Sequence, residues 1–189
     1  PFHALEHSSK KYLIEHFIIN YAPSSSVLQY CLDKSVAKGN KILSMALGDL
    51  TIGGFAGLPG TEMEITQLAE LYPNMDYKIK NDFSETYLKQ KAKDQNYIHL
   101  ATHGVLNQIQ PLYSYLLMSP TDDDDGRLTV DEIFSLNLQS KFVTLSACET
   151  GLGDIGDGDD LVGLSRAFIY AGSPGVVVSL WKVDDETTA

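Results

Sequence analysis

Two runs of the chain, Asn96-Tyr-Ile-His-Leu-Ala-Thr-His-Gly104 and Lys141-Phe-Val-Thr-Leu-Ser-Ala-Cys-Glu-Thr-Gly151, are short, apolar and rich in β-formers. Segments of this length and composition read as buried strands. Each stops at a side chain able to do acid/base or nucleophilic chemistry, with a glycine close behind. Open parallel sheets gather their functional groups at strand ends, so His103 and Cys148 are candidates to share one site.

The rest of the chain alternates in the same manner. Strands are expected at 16–22, 41–47, 76–80, 97–102, 115–118, 142–147 and 175–181, and helices at 25–37, 61–71, 82–93, 129–135 and 161–170. That order predicts an α/β sandwich with a mainly parallel sheet. Thr61 with Glu64, Asp82 with Glu85, and Thr129 with Glu132 have the spacing of capping boxes, in which each partner satisfies an orphan amide of the other. Gly172 and Pro174 supply a stop for the helix that ends near Ala171. Residues 48–60, with five glycines and one proline, and residues 121–126, with four consecutive aspartates, read as loops.

At 189 residues, 43% of them hydrophobic, the chain is expected to be a single domain over 1–189, and its abrupt ends suggest one truncated on both sides. A formal charge of -11 argues against a nucleic-acid surface, which needs clustered Lys and Arg. Lys89, Lys91 and Lys93 do cluster, and a solvated helix accounts for them. No apolar run reaches the roughly 18 residues of a membrane span, and the N-terminus lacks a signal-peptide pattern. No membrane partner is expected. Cys31 and Cys148 are too few for a disulfide scaffold, so both are read as reduced thiols in a cytoplasmic compartment.

A cysteine attacks as its thiolate, and a thiol with an ordinary pKa of ~8.5 becomes useful beside a positive partner or a helix N-terminus. Cys148 precedes a glycine-rich turn, 151–158, that leads into the helix expected from 161. His103, with an ordinary pKa of ~6.5, is suited to carry the proton to a leaving amine. Gly104, lacking a Cβ, lets a substrate carbonyl approach the backbone, and its N–H and the amide of Cys148 are candidate oxyanion donors. Cys31 lies within an expected helix and reads as an inert core thiol.

Metal readings are weaker. The turn Asp154–Asp160 offers carboxylates for calcium, but an EF-hand ligand at position twelve would fall on Ser165. His99, His103 and Cys148 could bind zinc, since His99 and His103 share a strand face, yet neither a second nearby cysteine nor a helical histidine pair supports it. No metal and no cofactor is expected.

The segments LPGTEMEITQLAEL, HLATHG, RLTVDEIF, FVTLSACETGLG and LVGLSRAFIYAGSPGVVVSLWKVDDETTA resemble the CHAT domain family of caspase- and separase-like cysteine peptidases over nearly the whole chain. The resemblance implies a caspase-like three-layer sandwich with helices flanking the sheet, with His103 as catalytic histidine and Cys148 as nucleophile. It implies an endopeptidase acting on protein or peptide substrates, and a regulatory repeat domain or other partner in the intact protein. The alternative is a catalytically silent interaction module on the same fold. Substrate is expected to pair along 178–182, where Ser179 and Trp181 are contact candidates; Trp181 equally fits a core aromatic closing the sheet. Asp159 and Asp185, with Asp157, Asp160 and Asp184, either favour a basic substrate residue or cap helices.

Overall fold

The computed structural model describes residues 5–6, 11–36, 38–149 and 160–178; at 147–149 and 160–162 it describes the backbone alone. Seven strands of the described residues form one sheet: β1 (Ile42–Ala46), β2 (Asp76–Ile79), β3 (Tyr97–Val105), β4 (Tyr115–Leu117), β5 (Arg127–Thr129), β6 (Phe142–Glu149) and β7 (Val176–Val178). The helices are α1 (Ser25–Asp33), α2 (Pro59–Leu71), α3 (Glu85–Lys91), α4 (Val130–Phe134) and α5 (Asp160–Ala171). No helix among the described residues is long and apolar enough to cross a membrane.

The sheet is mixed, where the sequence pattern pointed to a mainly parallel one. β1 lies between β2 and β3, β6 borders β3 and β7 borders β6, all in parallel. β3 with β4 and β4 with β5 are antiparallel. Because β6 already borders β3 through Gly104, β4 takes the other edge of β3, beyond the end of β1. A parallel return needs a crossover of about a dozen residues or more, usually helical. The link from Val105 to Tyr115 holds only a single 3-10 turn, Pro111–Tyr113, so β4 reverses direction.

Side-chain alternation along each strand feeds two cores. Leu43, Met45, Ile98, Leu100, Val143 and Leu145 pack with Phe83, with Leu88 of α3, Ile133 of α4, and Leu164 and Phe168 of α5. Ala46 and Ala101 project the other way and meet Ile65 of α2 and Met75. Helices therefore cover both faces. Phe83 and Phe168 are the largest fully buried side chains among the described residues, and burying such a side chain contributes roughly 1.5–3 kcal/mol.

Several local expectations shift. Residues 16–22 form no strand; a 3-10 turn at Leu13–Glu15 precedes an irregular stretch with Phe17 and Ile18 exposed. α1 stops at Asp33 and buries none of its residues, so Cys31 is half-buried rather than a core thiol. α2 begins at Pro59, whose fixed φ suits the first helical position, so Thr61 lies inside the helix and does not cap it. Its hydroxyl instead donates to Leu58 O at 2.7 Å and accepts from Gly48 N. Asp82 sits in a 3-10 turn, and Ser84 caps α3 by accepting from Tyr87 N. Gly172, at φ +121°, ends α5 as expected.

The box at Thr129 and Glu132 does form. Glu132 N donates to Thr129 Oγ1 at 3.2 Å, and Thr129 N donates to Glu132 Oε2 at 2.9 Å. Thr129→Ala is expected to lower the unfolding free energy by about 1 kcal/mol in urea titration, since the cap is lost and Glu132 loses its reciprocal anchor.

Candidate active site

Parallel pairing of β1, β2, β3 and β6 aligns their carboxyl ends along one rim, where His103 and Cys148 lie directly opposite each other in the β3–β6 register. The structure thus brings both residues to neighbouring backbone positions at the end of the sheet. Gly104 follows at the point where β3 is flanked on both edges, opposite Glu149 and Leu116.

The His103 ring is 5% exposed, and its Nε2 lies 2.7 Å from the carbonyl oxygen of Ala56. A carbonyl only accepts, so Nε2 carries the proton and Nδ1 holds the lone pair of the neutral ring. Nδ1 is buried and has no hydrogen-bond partner among the described residues. Leaving such a group unsatisfied costs about 1–3 kcal/mol, which a purely structural histidine has no reason to retain. Other buried atoms share this state: Ser44 Oγ, Glu85 Oε1, His99 Nε2 and Ser140 Oγ. Of these five, His103 Nδ1 alone belongs to a residue paired in register with a cysteine.

Residues 48–58 set this orientation. Ile52 and Phe55 exchange backbone hydrogen bonds of 3.2 and 2.9 Å around Gly53 and Gly54, at φ 58° and 86°. Two successive positive φ values define a type I′ turn, which Gly-Gly adopts without strain. The turn lays Phe55 on the His103 ring, with centroids 5.4 Å apart, and delivers the next carbonyl, that of Ala56, to Nε2. The loop is closed at its base by Leu58 N donating to Gly48 O at 2.6 Å, and Lys80 Nζ lies 3.0 Å from both Asp49 and Glu62. Gly57 packs against the other limb so tightly that a Cβ there would meet the Asp49 carbonyl carbon at 2.3 Å.

The zinc and calcium readings gain nothing. His99 Nε2 lies 3.2 Å from Glu64 Oε1, near enough for electrostatic attraction but not aligned as a hydrogen bond, while His103 turns to Ala56. The calcium candidate at 154–159 lies outside the described residues, and Asp160 is the first residue of α5. Ligand atoms of Glu85, Asp124 and Glu132 do converge within 4.8 Å. Lys89 Nζ occupies their midst, at 3.0, 2.7 and 2.9 Å, so the cluster carries its own cation.

Ser179, Trp181, Asp159 and Asp185 lie outside the described residues. The sequence pattern missed Phe55, Ala56 and Gly57. Gly53-Gly54 was a usable turn signal, but nothing in a sequence states where a backbone carbonyl will point.

Fold and site together define a mixed α/β domain that ends two adjacent parallel strands in a buried, carbonyl-oriented histidine and a cysteine. The chain matches the CHAT domain over residues 1–189 and belongs to that family, whose fold is caspase-like and whose members are often protease-like. No curated protein matches the chain significantly.

Proposed function

We propose that this chain is a cysteine endopeptidase domain on a caspase-like sandwich, acting through Cys148 and His103. The observation that carries this reading is the pairing of a lone, buried Nδ1 on a carbonyl-anchored histidine with a cysteine at the same register position. Nδ1 takes the thiol proton, and the thiolate adds to the scissile carbonyl. The Cys148 amide donates to the developing oxyanion, and Gly104, without a Cβ, leaves the backbone beside His103 open to that carbonyl. His103 then returns the proton to the leaving amine, and water releases the acyl group from sulfur.

Substrate is a protein or peptide in extended form, paired along 178–182 with Ser179 and Trp181 in contact and Asp159 and Asp185 favouring a basic side chain. Control falls to a partner or an attached repeat domain, in a cytoplasmic setting. A thiol-directed probe at neutral pH tests the reading. Burial pushes the Cys31 thiol above its usual range, so little of it is thiolate. Labelling is expected at Cys148, at least about tenfold faster than at Cys31, and slowed by His103→Ala. Equal labelling of both cysteines, or labelling indifferent to His103, sinks the proposal.

A further inference from the structure

α1 combines five apolar residues of its nine, Val27, Leu28, Tyr30, Cys31 and Leu32, with no buried residue. Leu28 is 45% and Leu32 72% exposed, one turn apart on the same side. A helix with an apolar stripe needs that stripe covered. Beside it, α1, α4 and α5 enclose a groove of about 580 Å³ walled by Val27, Tyr30, Phe134, Ile169 and Tyr170. Tyr170 packs edge-on against Phe134 and is otherwise exposed.

Among the described residues of that lining, Arg166 contributes the one charge. Its guanidinium makes no ion pair or hydrogen bond among the described residues, in a chain with 25 acidic and 14 basic side chains. An occupant that is apolar and carries a carboxylate fits these walls. α1 itself presents that combination, because Asp33 follows Leu32, is exposed, and among the described residues has its carboxylate bonded only to the neighbouring Gln29 amide.

We propose that the groove receives α1 of a second copy of this chain, with Leu28 and Leu32 in the groove and Asp33 on Arg166. One helix then supplies both the wall and the inserted ridge, the self-complementarity that a two-fold interface requires. Contact through one short helix per copy lies below the standard interface size, so the dimer exchanges with a Kd on the order of micromolar. This pairing stands or falls independently of the peptidase chemistry.

Sedimentation velocity on the 189-residue chain between about 1 and 100 µM reads it directly. The wild type is expected to pass from monomer to dimer over that range. Leu32→Asp, at an exposed position, abolishes the dimer with an unchanged circular dichroism spectrum. Arg166→Glu and Asp33→Arg each weaken it about tenfold or more, and the double swap restores it. A wild type that stays monomeric throughout, a dimer indifferent to Leu32→Asp, or a double swap no better than the single changes would each overturn the proposal.

Discussion

Lys89→Met is expected to lower the unfolding free energy by about 3 kcal/mol at pH 7, toward the lower end of what removing one partner of a buried ion pair costs. Methionine keeps the stem and removes the ammonium that meets Glu85, Asp124 and Glu132. Glu85 is fully buried with Oε1 unpartnered among the described residues, so without Lys89 it has no cation to support its charge. The knot also joins α3 to the loop at 121–126 and to the start of α4, because Thr86 Oγ1 donates to Asp124 and Thr129 N to Glu132. Partial exposure of the Lys89 side chain, at 30%, tempers the loss.

The same loss depends on pH in a defined sense. The hydrogen bond from Lys89, then that from Thr86, holds the Asp124 carboxyl below its usual range. Burial pulls Glu132 upward, but hydrogen bonds from the Thr129 amide and Lys89 outweigh it and its pKa falls. Lowered carboxyls contribute stability above their unfolded values of ~4, and lose it as pH falls through the folded ones. Glu85 is raised by burial against the opposing Lys89 bond, so its charge costs the fold stability above the unfolded value of ~4, and acid relieves the variant further. Burial pulls Lys89 downward, but its bonds to Asp124, Glu132 and Glu85 outweigh that, and its pKa rises. Its contribution is complete below ~10.4 and lost above its folded pKa. Urea titrations should therefore show the full difference between wild type and variant near pH 7 and a much smaller one near pH 3. Equal losses at both would rule out the ionic account.

How far the sequence carried depends on what kind of signal each feature leaves. β3 and β6 are long apolar runs, and their ends placed His103 and Cys148 at the rim before any geometry was known. The antiparallel corner at β4 and β5 depends on the length of a connection, which the pattern of segments does not weigh. Three capping boxes were spelled alike, yet only Thr129–Glu132 formed. Pro59 starts α2 early and Ser84 outcompetes Asp82, so the nearest favourable cap decided each case. Lys89, Lys91 and Lys93 looked like one solvated face, but Lys89 turns to carboxylates 4, 35 and 43 residues away in the chain, a relation no local pattern encodes. The carbonyl that orients His103 belongs to alanine, whose side chain advertises nothing.

The histidine that this carbonyl orients gives the largest expected effect on activity. On the proposed peptidase reading, His103→Ala removes the proton carrier and is expected to lower kcat about 10²–10⁴-fold on the best substrate from a peptide library. Gly57→Ala leaves His103 in place and moves what orients it. A Cβ at 57 would lie 2.3, 2.4 and 2.6 Å from the carbonyl carbon, oxygen and Cα of Asp49, all backbone, so the two limbs of the loop must part by roughly 1 Å. Ala56 O then leaves its 2.7 Å contact with Nε2, and the ring loses the bond that fixes both its tautomer and its angle. A displacement of that size at a positioned catalytic group costs on the order of 10²-fold, and it should fall on kcat with KM nearly unchanged. Overpacking also costs about 1–3 kcal/mol of stability, so the comparison is made well below the variant's Tm. If Gly57→Ala keeps wild-type kcat while His103→Ala loses it, the Ala56 carbonyl does not orient the histidine, and the loop at 48–58 has no part in catalysis.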